Sequence, residues 1–524
     1  MRSRSLRGLG VVALAAGVVL AGALPASAAV LPAGKIVPVS VDDPGSAFVG
    51  GEHPSISAEG RFVAFVSDST LLPGANGSKQ VYLRDLQSGA VTLISHRYDD
   101  KKAGGQAFSD HPAVSADGKF VAFTSMATDL VSATLKTNGV QQVYRWDSST
   151  GAISLMSADS TIAVNAADRA VGDGIDISDD GKLVAFSTAS SLEGKMTLNS
   201  EQVYVRIADS GYTMTISEDV TQSRGVRGRS DRPVLSPNGR WVAFESTSTE
   251  LDPNASSRGA KQIYVQELRG PSVMVSQSAG LGGDKDSFDP DVSNGGAVSF
   301  ATFATDLQSP AVTVGRAQAY VSDADGSLTL VSHIPGDPAA ASNGTSTETS
   351  ISGDGGTVLF VSEAADLAKT GGFRQVFQWT RSTNASMAVS VGVGTTAPGN
   401  AAAFDVQLSS DGLSAAFDSN ATDLVSSPVA GGTRSESYAI GLQALVPPPV
   451  VPTPTPSDGA QGSASGAVAP AASGPAGGGG RLANTGADIT GAGAMGAVGA
   501  LLLAGGAASA LFLRRKNERG TDRG

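Results

Sequence analysis

One pattern recurs seven times along the chain and limits what it can fold into: a serine, a turn pair ending in glycine, and a short β-rich run ending in phenylalanine. The copies run from Ser57 to Phe65, Ser115 to Phe123, Ser178 to Phe186, Ser236 to Phe244, Ser293 to Phe300, Ser352 to Phe360 and Ser409 to Phe417. Successive phenylalanines lie 58, 63, 58, 56, 60 and 57 residues apart. So regular a period means one supersecondary unit, repeated and stacked on its neighbours.

Each unit predicts four strands. Strand a is short (Ser55-Ile56-Ser57), and the Asp-Gly or Asn-Gly pair supplies the positive φ of a tight hairpin into strand b. Strand b (Phe62 to Val66) is apolar on both faces, as a strand between neighbouring sheets must be. Strand c alternates Val81 and Leu83 with Tyr82 and Arg84, and strand d is Val91 to Ile94. A four-stranded meander repeated radially is a propeller blade. The seventh copy reaches strand c (Tyr438 to Leu442) and then runs into a Pro-rich tract without a fourth strand. Ile36-Val37-Pro38-Val39-Ser40 precedes the first strand a just as Val91 to Ser95 precedes the second, so the N-terminal segment is expected to complete the last blade. Closure removes the exposed sheet edges that an open array would leave. The predicted class is all-β, a seven-bladed β-propeller over residues 35–445.

The S-x-D-G-[KR]-x-V-A-F element with its following Q-V-Y strand resembles the TolB-like propeller repeats. A second recurring piece, Ala127 to Leu130, Ala304 to Leu307, Ala365 to Leu367 and Ala421 to Leu424, is similar to a subgroup in secreted actinobacterial proteins. The resemblance implies a rigid scaffold for protein or ligand binding. Fold alone does not give function.

The two ends predict export and anchoring. Residues 1–28 carry Arg2, Arg4 and Arg7, an apolar run from Leu9 to Leu24 and Ala26-Ser27-Ala28, the pattern of a secretory signal peptide with a mature start near Ala29. At the other end, residues 446–481 are rich in Pro, Gly, Ser and Ala, a stiff and then flexible spacer. Leu482-Ala483-Asn484-Thr485-Gly486 follows, then an apolar span at 489–513 long enough for a transmembrane helix, then a basic cytoplasmic tail at 514–524. This tail resembles the cell-wall sorting signal of Gram-positive bacteria, with Ala483 where proline is usual, as in the L-A-x-T-G variant. The resemblance implies that a sortase cysteine attacks the carbonyl of Thr485, releases Gly486 onward, and passes the chain to a peptidoglycan amine. The expected location is the cell surface, with the propeller outside.

Composition narrows the function. The chain has no cysteine, which excludes disulfides and thiolate metal sites. Its 37 basic residues include eight in the two ends, and its 49 acidic residues include three there. Residues 29–486 therefore hold 29 basic against 46 acidic, a net of −17, which argues against nucleic acid as the partner. No cofactor is expected.

Long b–c and blade-to-blade connections lie on one face, the expected binding face. On it, Arg224, Arg227, Arg229 and Arg232 could receive a carboxylate or an anionic wall polymer, against the alternative of a solvated loop. Asp284, Asp286, Asp289 and Asp291 offer alternating oxygen ligands, a weaker calcium candidate because they lack the glycine and closing glutamate of an EF-hand loop. His53 and His111 occupy equivalent pre-proline positions entering strand a near the channel. Arg232 and Asp289 stand at that place in other blades, so a polar channel lining is expected there rather than a shared metal site. The run Gly462 to Gly466, in the low-complexity tract, has Ala464 at its centre where a nucleophile elbow needs serine, and no strand-turn-helix surrounds it. The expectation is a non-catalytic surface module binding a protein or wall ligand. The alternatives are an enzyme acting on extracellular glycans through channel carboxylates, and a structural spacer.

Overall fold

The computed structural model describes residues 31–443, except for 43–46, 71, 133–138, 160–165, 194–199, 220, 222–223, 308–314, 369–371 and 427–434. The signal peptide, spacer, sorting pentapeptide and apolar span all lie outside the described residues. Among those described, no helix is long and apolar enough to cross a membrane.

Seven four-stranded antiparallel sheets follow one another along the chain, as the repeat predicts. The first blade pairs Glu52–Ile56, Phe62–Ser67, Gln80–Asp85 and Val91–Leu93 in order. The last takes Ala403–Leu408, Ser414–Ser419 and Glu436–Gly441 from the C-terminal copy, and its fourth strand is Ile36–Pro38 from the N-terminus. Ile36 faces Ile440 and Pro38 faces Tyr438 across this seam. The expected closure is present. A further hairpin, Gln277–Ser278 with Leu281–Gly282, lies in the connection after the fourth blade.

Every blade uses its sequence motif in the same way. The motif serine turns its Oγ back to accept the amide five residues on, as in Ser57 with Phe62, Ser115 with Phe120 and Ser409 with Ser414, at 2.9–3.0 Å, or four on in the shorter fifth copy, where Ser293 accepts from Ala297. Where the turn holds an aspartate, the same hydroxyl donates to it, as from Ser178 to Asp180 and from Ser352 to Asp354. The serine thus pins both ends of the a–b turn. Gly118 has a φ of 70°, and a Cβ there would also run into the Phe62 ring of the preceding blade. Conformation and close packing both demand glycine.

Within each blade, a phenylalanine of strand b faces an aromatic of strand c in all seven sheets, with centroids 5.5–6.0 Å apart. Each such pair adds about 0.5–1.5 kcal/mol beyond its buried area. A buried glutamine opening strand c ties each blade to the next: Gln80 donates to Gly105 O and accepts from Ser95, and Gln142 and Gln262 repeat the arrangement. In the last blade Glu436 stands in that place and accepts from Ser40 at 2.7 Å and from the Gly50 amide at 3.1 Å. Ser40 also accepts the Ser437 amide, as Ser95 accepts that of Val81. Ser40→Ala strips a partner from the buried Glu436 and leaves the Ser437 amide unmatched. It is expected to cost about 1–3 kcal/mol, read as a lowered denaturant midpoint at unchanged slope. A midpoint equal to wild type contradicts this account of the seam.

Candidate functional site at the channel mouth

The first strands of neighbouring blades pack together around the axis. Each carries a β-bulge, visible as a register shift between Glu52 and Ser55 and at the matching place in all the others. The sequence reading made strand a three residues long. It is five to seven, because the bulge admits the residues before the motif into the sheet.

The bulge places one residue of each copy, four before the motif serine, at the mouth of the channel: His53, His111, Gly174, Arg232, Asp289, Glu348 and Asp405. The six that are not glycine have φ values of 47–52°, a left-handed conformation that favours glycine. In the seventh, Gly174, a Cβ would collide with the Arg232 backbone. Carboxylates hold most of these strained amides. His53 N donates to Asp418 at 2.8 Å, Asp289 N to Glu245 at 2.9 Å, Glu348 N to Asp289 at 3.1 Å and Asp405 N to Glu348 at 2.6 Å. His111 N donates to the adjacent Asp110 at 2.8 Å. The mouth is thus a girdle in which one blade's acid fixes the next blade's backbone.

Its side chains remain open to water. His53 Nδ1 lies 2.6 Å from Asp110 Oδ1, its Nε2 lies 3.9 Å from Asp405 Oδ2, and its ring stacks on His111 with centroids 4.6 Å apart. Arg232 reaches Asp289 at 3.0 Å, and Arg374 pairs with Glu348. Burial disfavours a charged His53, but the hydrogen bond and charge of Asp110 outweigh it and raise the imidazole's pKa. Burial raises Glu348 and Asp405 above the usual carboxylate range against their cationic neighbours. At the opposite end, Ser410 Oγ donates to Asp179 across the axis at 3.2 Å, joining the seventh blade to the third. That bridge crosses the channel at the tight-turn end, so access is from the loop-rich face.

One layer below the mouth, side chains two before the motif serine bridge blades through the following blade's amide: Ser55 to Val114, Asp176 to Leu235, Asp291 to Ile351 and Ser350 to Leu408. Asp176 and Asp291 are partly exposed yet have protein on nearly every side, and this enclosure governs them. Burial pushes Asp176 up to about 7 and Asp291 up to about 6.

The predicted clusters fare differently. The four arginines form no basic patch. Arg224 and Arg227 face Glu250, Arg229 lies between Glu201 and Asp231, and Arg232 sits at the mouth on Asp289. The four aspartates do not converge either. Asp284 holds Thr305, Asp286 accepts the Lys261 amide, Asp289 joins the girdle and Asp291 braces the sixth blade. His53 and His111 do line the channel, as expected. Asp110, Glu348 and Asp405 were missed, although aligning the copies on the motif serine brings the last two into the same column.

No family model and no curated protein matches the sequence. Among solved structures, TolB from Acinetobacter baumannii is 20% identical over 53% of this chain and 53% of its own length, with a TM-score of 0.31. The oligogalacturonate lyase from Vibrio parahaemolyticus is 10% identical over 79% of this chain and 99% of that one, at 0.44. The Pyrococcus horikoshii acylaminoacyl peptidase is 11% identical over 73% and 51%, at 0.41. The neighbours thus include TolB-like propellers and propeller-containing enzymes. The blade count rests on this chain's own strand pairing.

Because the folded state keeps a proton on Asp176 where the unfolded chain has lost it, this group's contribution falls as pH rises from about 4 to about 7. Asp176→Ser keeps the acceptor that Ser55 and Ser350 supply in their blades, but does not titrate. Relative to wild type, the variant is expected to gain stability steadily across that window in urea titrations. A difference independent of pH contradicts a raised Asp176.

Proposed function

We propose that the chain is an exported protein, displayed on a Gram-positive cell surface through its sorting tail, whose propeller binds a wall polymer or protein ligand without catalysis. The observation that carries this is the girdle: six equivalent positions hold ionisable side chains in a conformation better suited to glycine, all at the open end of the channel. Strain of this kind, on the order of 1–3 kcal/mol at a residue, concentrates at functional sites. The acidic excess of residues 29–486 and the internal pairing of the arginines favour a ligand bearing amines and hydroxyls over an anionic one.

A second reading is an enzyme acting on extracellular glycans. The raised carboxyl groups of Glu348 and Asp405 favour it, since a proton donor at neutral pH needs such a shift. The two readings separate on turnover. Pull-down on purified cell wall is expected to retain the wild-type chain, to lose at least about tenfold in affinity for Asp405→Asn, and to release no reducing ends. Reducing ends that vanish with Glu348→Gln establish the enzyme instead. For the anchor, the C-terminal peptide from purified wall is expected to end at Thr485 carrying a wall fragment. A peptide continuing through Gly486 shows that the tail is retained.

A further inference from the structure

Among the described residues, the mouth gathers one set of metal-ligating groups, from two adjacent blades: His53, Asp110 and His111. Their donor atoms all lie within 4.8 Å of one another. His53 Nδ1 is 2.6 Å and His111 Nδ1 3.9 Å from the same oxygen, Asp110 Oδ1. We propose that these three side chains bind one divalent transition-metal ion, with zinc as the best match, leaving an open coordination position toward the loop-rich face.

Several features carry the assignment. Two imidazoles and a carboxylate suit zinc, whose bonds to them run about 2.0–2.2 Å, which sets tetrahedral ligands roughly 3.4 Å apart. The observed separations of 2.6 and 3.9 Å straddle that value, and binding requires one ring to turn out of the stack so that both lone pairs meet the ion. A simple ion pair uses one imidazole. Here a second is stacked beside it at an angle of 19°, with the same nitrogen facing the same oxygen. The remaining nitrogen of His53 faces Asp405 at 3.9 Å. A histidine ligand commonly directs its other N–H at a carboxylate, which fixes the tautomer and strengthens the metal bond. The backbone of both histidines is held in the left-handed conformation by Asp418 and Asp110, so the direction in which each side chain leaves the chain is set before any ion arrives. Asp405 and Glu52 around His53 offset the cation's charge.

The sequence reading set such a site aside because Arg232 and Asp289 replace histidine elsewhere in the ring. What it lacked was Asp110, which completes a local site between the first two blades and needs no seven-fold symmetry. The site stands whatever larger ligand the propeller takes, although an open metal position could receive an oxygen of that ligand.

The test is calorimetric titration of zinc chloride into the full-length chain after chelator treatment, with cobalt(II) absorption as a second readout. Expected are one zinc ion per chain, a visible cobalt spectrum of tetrahedral intensity, and no displacement by excess calcium. His53→Asn and His111→Asn retain a residue that tolerates positive φ. Each is expected to weaken zinc at least about tenfold and to remove the cobalt spectrum while the metal-free chain still unfolds cooperatively. Should one variant fail to fold, the other decides. Asp284→Asn, in the acidic run after the fourth blade, is expected to leave binding intact. No zinc binding by wild type, binding unaltered in both histidine variants, or loss of binding in Asp284→Asn overturns the proposal.

Discussion

A circuit of hydrogen bonds around the tight a–b turns holds the seven blades together. Ala58 N donates to Ala116 O, Ala116 N to Asp179 O and Asp179 N to Pro237 O, at 2.8–3.2 Å. Asn238 N donates to the Asn294 side chain, Asn294 N to Gly353 O, Gly353 N to Ser410 O, and Asp411 N to Ala58 O, which closes the loop. Each link needs the turn on both sides to be in register, and the motif serine with its glycine sets that register. The repeat is therefore a device for joining blades as much as for turning a hairpin. Sheets that would otherwise expose edges are locked into a ring.

The other end of the channel trades regularity for chemistry. The bulge in six of the seven first strands carries an ionisable residue, and in four of them a carboxylate of a neighbouring blade holds the strained amide. These acids need no compensating basic patch, because backbone amides, His53, Arg232 and Arg374 already meet them. The mouth remains polar and reachable while its backbone is fixed from beneath by Ser55, Asp176, Asp291 and Ser350. Fixed geometry beside an open face suits recognition.

The blade count and the swapped closing strand were legible because both follow from periodicity. Seven copies of one motif and a strand missing at one end, with a matching one at the other, leave a single economical arrangement. The mouth was only half legible. His53 and His111 stood out as equivalent, but strand a was read too short, because a bulge led by a residue with positive φ and often followed by proline looks like a loop in sequence. The arginines and aspartates were grouped by closeness along the chain. The ring instead assigns each to a different neighbour, so Arg232 meets Asp289 from the next blade and Asp291 meets the sixth. Sequence proximity is a poor guide where neighbouring residues face different blades.

Amide hydrogen exchange resolved along the chain tests the closed ring most directly. Val39, Asp411 and Ser437 guard the seam where the N-terminal strand meets the last blade, and Ala116 and Ile94 hold equivalent places away from it. If the ring is locked throughout, all five exchange only through global unfolding, with the same free energy of opening. Exchange at the three seam amides roughly a hundredfold faster than at the other two, on the order of 2.7 kcal/mol, would show that the ring opens there and contradict the account.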